Sequence, residues 1–355
     1  MPQTEQWTVG RLLQVTTDYL RRHGSESPRL DAEILLAHAR HCERIQLYTA
    51  YAEVTPEAVR AVFRELVRRR AEGTPVAYLV GRCEFYMLSF RVTPDVLIPR
   101  PETELLVEVL LDLIKNDDSC PKPLEIADVG TGSGNIAVCV ARHVPDCRVT
   151  AIDSSRAALD VARGNVADLG VSQQVELVEG DLLEDLPADR RFDFVVSNLP
   201  YVSRAELEQL APEVKDHEPR VALLAGQSGS RIIGRLIPQA ARRLRPAGWF
   251  LAEISPMIEP QIHDLIRANG HFEQLSSIED LARHPRVVQA RRLSGCTRPI
   301  AEVPAIDARS GGDVAPGEVS GVPAEQPRKS ALTAMRDALI NGIAKPQIDD
   351  GDQDE

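Results

Sequence analysis

The stretch Ser197-Asn198-Leu199-Pro200-Tyr201 contains the residues whose chemistry can be inferred most directly. It follows residues 192–196, an apolar run typical of a buried parallel strand, so we expect it at the carboxyl end of that strand, where open α/β sheets bind ligands. The Asn198 side chain offers a carbonyl acceptor, the peptide carbonyl of Leu199 offers a second acceptor, and Tyr201 offers a flat aromatic face. These groups suit a planar NH₂ group, such as an amide or an exocyclic base amine.

An NH₂ group of this kind is a poor nucleophile because its lone pair is delocalised. Hydrogen bonds that hold both of its protons favour the build-up of charge on nitrogen as an electrophile approaches in line. The stretch therefore predicts group transfer to a planar nitrogen, and that transfer requires no general base before the attack.

A glycine-rich turn, Gly130-Thr131-Gly132-Ser133-Gly134, lies between a predicted strand at residues 124–129 and a predicted helix at residues 135–143. A second predicted strand, at residues 148–152, ends in Asp153. Glycines let the backbone approach a ligand closely, and an acidic residue about 20 positions later can hold a ribose diol. A dinucleotide site would prefer the spacing G-x-G-x-x-G, whereas this turn has G-x-G-x-G, preceded by Asp128.

The turn resembles the S-adenosylmethionine loop of seven-stranded methyltransferases. A third predicted strand, at residues 175–178, leads to Asp181 and Leu182, and the resemblance implies that Asp181 occupies the position of the acid that contacts adenine. The fourth strand leads to Asn198. Because the carboxyl ends of parallel strands meet at one edge of a sheet, these segments are expected to converge on one crevice.

Residues 8 to about 293 resemble the HemK/PrmC family, the release factor glutamine methyltransferases. The resemblance rests on Arg29-Leu30-Asp31-Ala32-Glu33, on Leu97-Ile98-Pro99-Arg100-Pro101-Glu102-Thr103-Glu104, on the glycine-rich turn, and on Asn198-Leu199-Pro200-Tyr201. The last segment is similar to the family signature Asn-Pro-Pro-Tyr, with Leu199 in place of the first proline. The resemblance implies that this position acts through its main-chain carbonyl, which leucine supplies as proline does, although leucine lacks the fixed φ of proline. A second departure is Ser255-Pro256, where the family usually has a glycine.

The resemblance implies an α/β fold: a seven-stranded Rossmann-like, S-adenosylmethionine-dependent methyltransferase domain preceded by a small helical domain. It implies methyl transfer from S-adenosylmethionine to the glutamine amide of the Gly-Gly-Gln motif in class I peptide chain release factors, which the helical domain grips. The implied catalytic residues are Asn198, Leu199, Pro200 and Tyr201. The implied cofactor-binding residues are Gly130, Thr131, Gly132, Ser133, Gly134, Asp153, Asp181, Leu182 and Asn198, and no metal site is expected.

Two other functions are compatible with parts of the sequence. An Asn-Leu-Pro-Tyr segment occurs among rRNA adenine dimethyltransferases, so an adenine-amino methyltransferase acting on RNA or DNA is one alternative. A scaffold that keeps the fold and binds a translation factor without catalysis is the other. The acidic charge and the Pro-Arg-Pro-Glu-Thr-Glu segment argue against the first, and the intact Asn198, Asp153 and glycines argue against the second.

Composition limits the class of protein. The 355 residues carry a net charge of -12, which disfavours a large nucleic-acid interface because phosphate binding depends on clustered Lys and Arg. The sequence begins without the pattern of a secretory signal and contains no apolar run of the roughly 18 residues that a membrane span requires. The six cysteines are scattered without a C-x-x-C pair, which favours reduced packing residues. A cytoplasmic monomer is expected.

Changes in pattern along the chain predict four regions. Residues 1–82 form a helical recognition domain, with one helix capped by Thr8, a second starting at Pro28, and a third capped by Thr55 before Pro56. Residues 83–96 form a β-hairpin linker, residues 97–293 the methyltransferase domain, and residues 294–355 a disordered acidic tail. Beyond Tyr201 we expect a helix at residues 230–244, a strand at 249–254, a helix at 256–268, and two final strands.

Overall fold

The computed structural model describes residues 6–117 and 121–295. The predicted acidic tail lies outside these residues from position 296 onward, as do Cys120 and Cys296. The amino-terminal part of the chain is helical and has its own hydrophobic core, to which Leu13, Leu35 and Phe63 contribute buried side chains. Its helices are α1 (Val9–Arg22), α2 (Pro28–Arg40), α3 (Arg44–Thr49), α4 (Glu57–Ala71) and α5 (Val76–Val80).

Helix starts in this part agree only partly with the predictions. Thr8 caps α1, because its hydroxyl accepts a hydrogen bond from the Arg11 amide at 3.3 Å. The prediction that Thr55 caps α4 is wrong: Pro56 is the N-cap residue and makes no side-chain cap. Thr55 is instead buried and donates its amide proton to the carbonyl of Trp7 at 2.8 Å. The short helices α3 and α5 were not predicted.

A β-hairpin follows the helices. Its strands are β1 (Arg82–Phe85) and β2 (Leu88–Arg91), which pair in antiparallel register from Arg82 with Arg91 to Phe85 with Leu88. Tyr86 and Met87 both have positive φ, 49° and 59°, which is the backbone of a type I′ turn. The hairpin is therefore present, although the domain boundaries themselves stay a prediction.

The central sheet has the strand order β5-β4-β3-β6-β7-β10-β8, with β9 paired to β10. Strands β5, β4, β3, β6 and β7 are parallel to one another, whereas β10 runs antiparallel to β7 and β8. The chain adds strands outward from β3 to β5 and then returns to the other side of β3 with β6, which creates a topological switch point between β3 and β6. The strands are β3 (Leu124–Val129), β4 (Cys147–Asp153), β5 (Val175–Glu179), β6 (Phe192–Ser197), β7 (Leu244–Glu253), β8 (Phe272–Gln274), β9 (Ile278–Glu279) and β10 (Pro285–Arg292).

Helices cover both faces of this sheet, so β6 is buried along its whole length, as its apolar sequence predicts. Phe194 and Val196 belong to the core on one face, and Phe192 and Val195 belong to the core on the other. The helices are α6 (Thr103–Asn116), α7 (Asn135–His143), α8 (Arg156–Asp168), α9 (Arg204–Leu207), α10 (Pro212–Lys215), α11 (Arg220–Leu223), α12 (Arg231–Arg243) and α13 (Glu259–Asn269), with a 3₁₀ turn at Pro256–Ile258.

Cys139 in α7 and Cys147 in β4 are buried, as expected of packing residues, and burial raises the pKa of the Cys147 thiol to about 11. Within residues 6–117 and 121–295, no helix has both the length and the apolar character needed to cross a bilayer.

Candidate active site

The glycine-rich turn joins β3 to α7 and is held against the end of β4. The amides of Gly130 and Thr131 both donate to the carbonyl of Ile152, at 2.8 and 2.9 Å. Gly132 has φ 54° and donates its amide proton to the Asp153 carboxylate at 2.9 Å. The backbone of the turn is therefore positioned by hydrogen bonds to the end of the neighbouring strand β4.

Asp128 holds the same turn from the protein interior. It is fully buried and accepts hydrogen bonds from the Thr131 hydroxyl at 2.6 Å and from the Ala137 amide at 3.1 Å. Burial raises the pKa of Asp128 to about 7, although both hydrogen bonds lower it. The carboxyl thus connects the turn to the first residues of α7.

Asp153 ends β4 and faces the same crevice. Its two carboxylate oxygens accept from the Gly132 amide and from the Ser155 amide, each at 2.9 Å. Burial raises the pKa of Asp153, and the backbone hydrogen bonds oppose that shift. Each oxygen has a further lone pair, so the carboxylate can accept additional hydrogen bonds from a diol.

Asp181 and Leu182 follow β5. Asp181 forms an ion pair with Arg235 of α12 at 2.6 Å, which the sequence did not reveal. Leu182 is buried, and its backbone has a positive φ of 59°. The Gly180 amide donates to the Asp153 carbonyl at 3.1 Å, so the ends of β4 and β5 are connected through the backbone.

Asn198 lies directly after β6. Its side-chain nitrogen Nδ2 donates to the Thr103 hydroxyl at 2.9 Å, and Thr103 begins α6 inside the Pro-Arg-Pro-Glu-Thr-Glu segment. Within the described part of the chain, no residue donates a hydrogen bond to the amide oxygen Oδ1. The contact with Thr103 therefore leaves that oxygen as an acceptor at the cavity wall.

The residues after Asn198 have different surroundings. Leu199 is buried, and a Cβ added to Gly130 would lie only 2.8 Å from one of its methyl groups, so the loop and the glycine-rich turn are in direct contact. Pro200 lines the cavity. The Tyr201 hydroxyl donates to the carboxyl of Glu253 at 3.3 Å, and burial raises the pKa of that hydroxyl.

One cavity of about 250 Å³ collects most of the predicted site. Gly134 and Tyr201 are not among its lining residues: Gly134 is the N-cap residue of α7, and a Cβ there would lie 3.2 Å from Ala162. The predicted residues that line the cavity are Gly130, Thr131, Gly132, Ser133, Asp153, Asp181, Leu182, Asn198, Leu199 and Pro200.

Three residues in or beside the cavity have no individual role predicted from the sequence: Thr103, Arg235 and Glu253. Thr103 lies in a segment that the family resemblance had singled out, and Glu253 ends the strand that neighbours β6. The rule that ligands bind at strand ends could have indicated Glu253. No sequence signal distinguishes Arg235 from the other arginines of α12.

The cavity suits S-adenosylmethionine. A turn with glycines at positive φ admits close approach, the Asp153 carboxylate has lone pairs available for a ribose diol, and the buried Leu182 offers an apolar wall. Asn198 lines the same cavity, and its neighbour Leu199 contacts Gly130 of the turn. The residues present therefore fit a nucleoside with an attached amino acid beside an amide acceptor.

Two family models match the chain. The model described as the PrmC N-terminal domain matches residues 11–81, and the model described as a methyltransferase domain matches residues 126–217. The first region covers the helices α1 to α5, and the second begins in β3 and extends past Tyr201. Both parts of the predicted architecture are thus represented.

Proteins named release factor glutamine methyltransferase are similar to this chain over most of its length. The protein from Rhodopirellula baltica is 49% identical over 286 residues, which are 81% of this chain and 97% of the relative. The protein from Koribacter versatilis is 41% identical over 80% of this chain and 99% of its own length. The protein from Geobacter sulfurreducens is 40% identical over 70% and 85%.

A solved ribosomal protein L11 methylase from Lactobacillus delbrueckii subsp. bulgaricus aligns with 58% of this chain and 86% of its own at 21% identity, with a TM-score of 0.41. That likeness is too weak to bear on function. The identity to the curated relatives is much higher, and it extends through both the helical part and the sheet. The chain belongs to the release factor glutamine methyltransferase family.

Proposed function

We propose that this chain transfers a methyl group from S-adenosylmethionine to the side-chain amide nitrogen of the glutamine in the Gly-Gly-Gln motif of class I release factors. The observation that carries the proposal is the Asn198 amide, whose Nδ2 is held by Thr103 while the residue lines the same cavity as the glycine-rich turn. Family membership supplies the class of substrate.

The cofactor half of the site consists of the turn from Gly130 to Gly134, Asp153, and the Asp181-Leu182 pair. When bound, S-adenosylmethionine supplies an electrophilic methyl group. Asp153 accepts hydrogen bonds from the ribose hydroxyls with the lone pairs that Gly132 and Ser155 leave available. Asp181 is charge-balanced by Arg235, so its carboxylate is held at the rim.

The acceptor half consists of Asn198 and the main chain of Leu199. Asn198 Oδ1 and the Leu199 carbonyl accept the two protons of the substrate NH₂ group, which orients its nitrogen and stabilises the positive charge that develops there. The nitrogen gains the methyl group and then loses one proton to solvent. Pro200 lines the cavity beside this position and Leu199 packs against the turn, so the two halves share a wall.

The helical domain, with predicted limits at residues 1–82, is the proposed binding surface for the release factor. It is connected to the rest of the chain: Arg70 of α4, which also pairs with Asp31 of α2, forms an ion pair with Glu213 of α10 at 2.7 Å. The Tyr78 hydroxyl also donates to the Val96 carbonyl at 2.6 Å. These contacts support a fixed placement of the helical domain, which would let it present the glutamine to the cavity.

The remaining parts of the proposal concern partners and location. The enzyme acts as a monomer in the cytoplasm, where release factors work, and it binds no nucleic acid directly. The net charge of -12 supports the last point.

The test is to incubate the protein with labelled S-adenosylmethionine and a class I release factor and to locate the methyl group by mass spectrometry. We expect one methyl group on the Gly-Gly-Gln glutamine and none on a factor whose motif is changed to Gly-Gly-Ala. Label in an added RNA or DNA, but not in the factor, would contradict the proposal.

A further inference from the structure

The segment after β5 forms one wall of the cavity, and we call residues 180–187 the β5 loop. Gly180, Asp181 and Leu182 of this loop line the cavity. Leu182 has φ 59°, in the left-handed region that residues with a Cβ rarely occupy. Such a backbone conformation persists only where the surroundings hold it. The contacts that hold the β5 loop therefore affect the shape of the cavity.

The contacts within the loop do not fix its position against the sheet. The Asp181 amide donates to the Asp185 carboxylate at 2.9 Å, and the Glu184 amide donates to the Asp181 carbonyl at 3.2 Å, so these bonds close a turn inside the loop. Leu183 and Leu186 are buried in a hydrophobic core shared with α12. Apolar burial is non-directional, so it keeps the loop against the core without setting the path of the main chain. Hydrogen bonds from another element must set that path.

Those hydrogen bonds come from α12. Arg235, Gln239 and Arg243 recur every four residues along this helix and therefore share one face of it. Gln239 is only 4% exposed, and both ends of its side-chain amide contact the β5 loop. Its Oε1 accepts from the Leu183 amide at 2.8 Å, and its Nε2 donates to the Glu184 carboxylate at 2.9 Å. A buried polar side chain thus has its hydrogen bonds with this loop.

The two arginines bind the loop on either side of Gln239. Arg235 forms the ion pair with Asp181 and also lines the cavity. Arg243 donates to three main-chain carbonyls of the loop, those of Leu183 at 3.3 Å, Leu186 at 2.7 Å and Pro187. The residues before and after Leu182 are therefore both hydrogen-bonded to α12, which holds the left-handed residue between two fixed points.

We propose that Gln239 is a positioning residue for S-adenosylmethionine: together with Arg235 and Arg243, it fixes the β5 loop so that Asp181 and Leu182 keep their places in the cavity wall. This inference rests on the cofactor half of the proposed site and not on the identity of the methyl acceptor. A glutamine suits the position because it accepts from a main-chain amide and donates to a carboxylate at the same time. Gln239 is not among the cavity-lining residues, so it acts through the loop.

The proposed role predicts a separation between cofactor binding and chemistry. The acceptor half of the site, with Asn198 held by Thr103, makes its contacts away from the β5 loop. Displacing the loop should therefore weaken S-adenosylmethionine binding and raise its KM, while kcat at saturating cofactor falls far less. A role of Gln239 in stability alone would lower the melting temperature without changing the affinity of the folded protein.

Gln239→Leu provides the first test, because leucine has a similar size but leaves the buried Leu183 amide without its acceptor. Calorimetry with S-adenosylmethionine, in the absence of any release factor, should give a dissociation constant raised about tenfold or more. Thermal unfolding, measured alongside, shows that the variant is folded at the temperature of the titration. An unchanged dissociation constant in the folded variant would overturn the inference.

Two neighbouring arginines provide a matched pair that leaves Gln239 in place. Arg243→Ala removes the donor to the loop carbonyls, whereas Arg242 is exposed and makes no hydrogen bond to the loop in the part of the chain that the structure describes. Both substitutions remove one positive charge from the last turn of α12. We expect S-adenosylmethionine to bind about threefold or more weakly to Arg243→Ala and normally to Arg242→Ala. Equal affinities would contradict the proposed role of this helix face.

A rescue experiment tests the contact itself. Gln239→Glu keeps an acceptor for the Leu183 amide but places a second carboxylate against Glu184, so S-adenosylmethionine binding should weaken. Adding Glu184→Gln restores a donor opposite that carboxylate, and the double variant should recover most of the affinity. A double variant that binds as weakly as Gln239→Glu alone would overturn the inference. Recovery of affinity in a protein that methylates no release factor would refute the proposed function and leave this inference standing.

Discussion

In the proposed mechanism, the adjacent residues Asn198 and Leu199 accept the substrate protons with different groups. Asn198 uses its side-chain oxygen, and Leu199 uses its main-chain carbonyl. Replacing Asn198 with Ala removes one preorganised acceptor, so kcat should fall on the order of 100-fold or more. Cofactor affinity should be nearly normal, since the turn and Asp153 are untouched. Turnover and S-adenosylmethionine affinity should be measured together. Full turnover on a release factor would show that the Asn198 side chain does not hold the substrate amide.

Leu199→Pro restores the residue that the family signature has at this position. The carbonyl is kept, so we expect turnover within about tenfold of the wild type. The melting temperature should fall, because the buried leucine methyl groups that contact Gly130 are lost. Calorimetry and kinetics separate the two effects. A variant that is folded and binds cofactor but is inactive would mean that this loop differs from the family's.

Asp153→Ala removes the carboxylate that is proposed to hold the ribose. Hydrogen bonds to charged groups contribute about 1.5 to 3 kcal/mol each, so S-adenosylmethionine affinity should fall at least about tenfold. Asp153→Asn is the matched control, because it can keep the contact to the Gly132 or the Ser155 amide and should lose less. Titration calorimetry measures both. Unchanged affinity in Asp153→Ala would remove this residue from the cofactor site.

The buried Glu253 affects stability. Its pKa is raised from 4.5 to about 7, so the folded state holds the proton more tightly than the unfolded state. This contribution is present below pH 4.5 and is lost as the pH rises through about 7. Glu253→Gln should therefore be more stable than the wild type at pH 8, by up to about 3 kcal/mol, and similar to it near pH 4.5. Chemical unfolding at both pH values measures the difference, and a constant difference would contradict the raised pKa.

The segment that leads into α12 contacts the Asn-Leu-Pro-Tyr loop at Gly229. This glycine has φ 76°, and a Cβ added to it would lie 2.5 Å from the carbonyl oxygen of Tyr201. Gly229→Ala should therefore displace the loop and lower kcat. Gly226→Ala is the control, since φ is 92° there but the nearest atom, in the Arg231 side chain, is 3.5 Å away. Both variants introduce backbone strain, so equal kcat values would mean that contact with Tyr201 does not position the loop.

For the whole molecule, a chain ending at Leu293 should keep the melting temperature and kcat of the full protein. The last strand of the sheet ends at Arg292, and the Leu293 amide donates to the His271 carbonyl at 2.9 Å. The last residue in sequence that lines the cavity is Arg235. The removed sequence is acidic and rich in Pro, Gly, Ser and Ala, with little apolar surface to bury. Thermal unfolding and turnover test this. A large drop in either quantity would show that the removed residues contribute to the folded protein.

Local signals in the sequence were sufficient to predict much of the secondary structure that positions the site. The apolar run of β6, the glycine-rich turn and the cap at Thr8 depend on residues close in sequence, and each is found where its pattern predicts it. The switch point follows from the order of strands and helices, so the convergence of the turn, Asp153 and Asn198 was predictable as well. Thr55 shows the limit of such signals, because its amide bonds to a distant residue, Trp7, instead of starting a helix.

Only the tertiary structure decided which groups orient the site. Thr103 and Asn198 are 95 positions apart, Tyr201 and Glu253 are 52 apart, and Asp181 and Arg235 are 54 apart. No periodicity or cap preference encodes such pairs, because they exist only once β7 lies beside β6, α6 packs against β7, and α12 lies beside the end of β5. The sequence by itself determined that Asn198 and the glycine-rich turn meet at the carboxyl ends of neighbouring strands. Packing between distant elements determined the direction in which the Asn198 amide points, because the hydrogen bond from its Nδ2 to the Thr103 hydroxyl joins the loop after β6 to the start of α6.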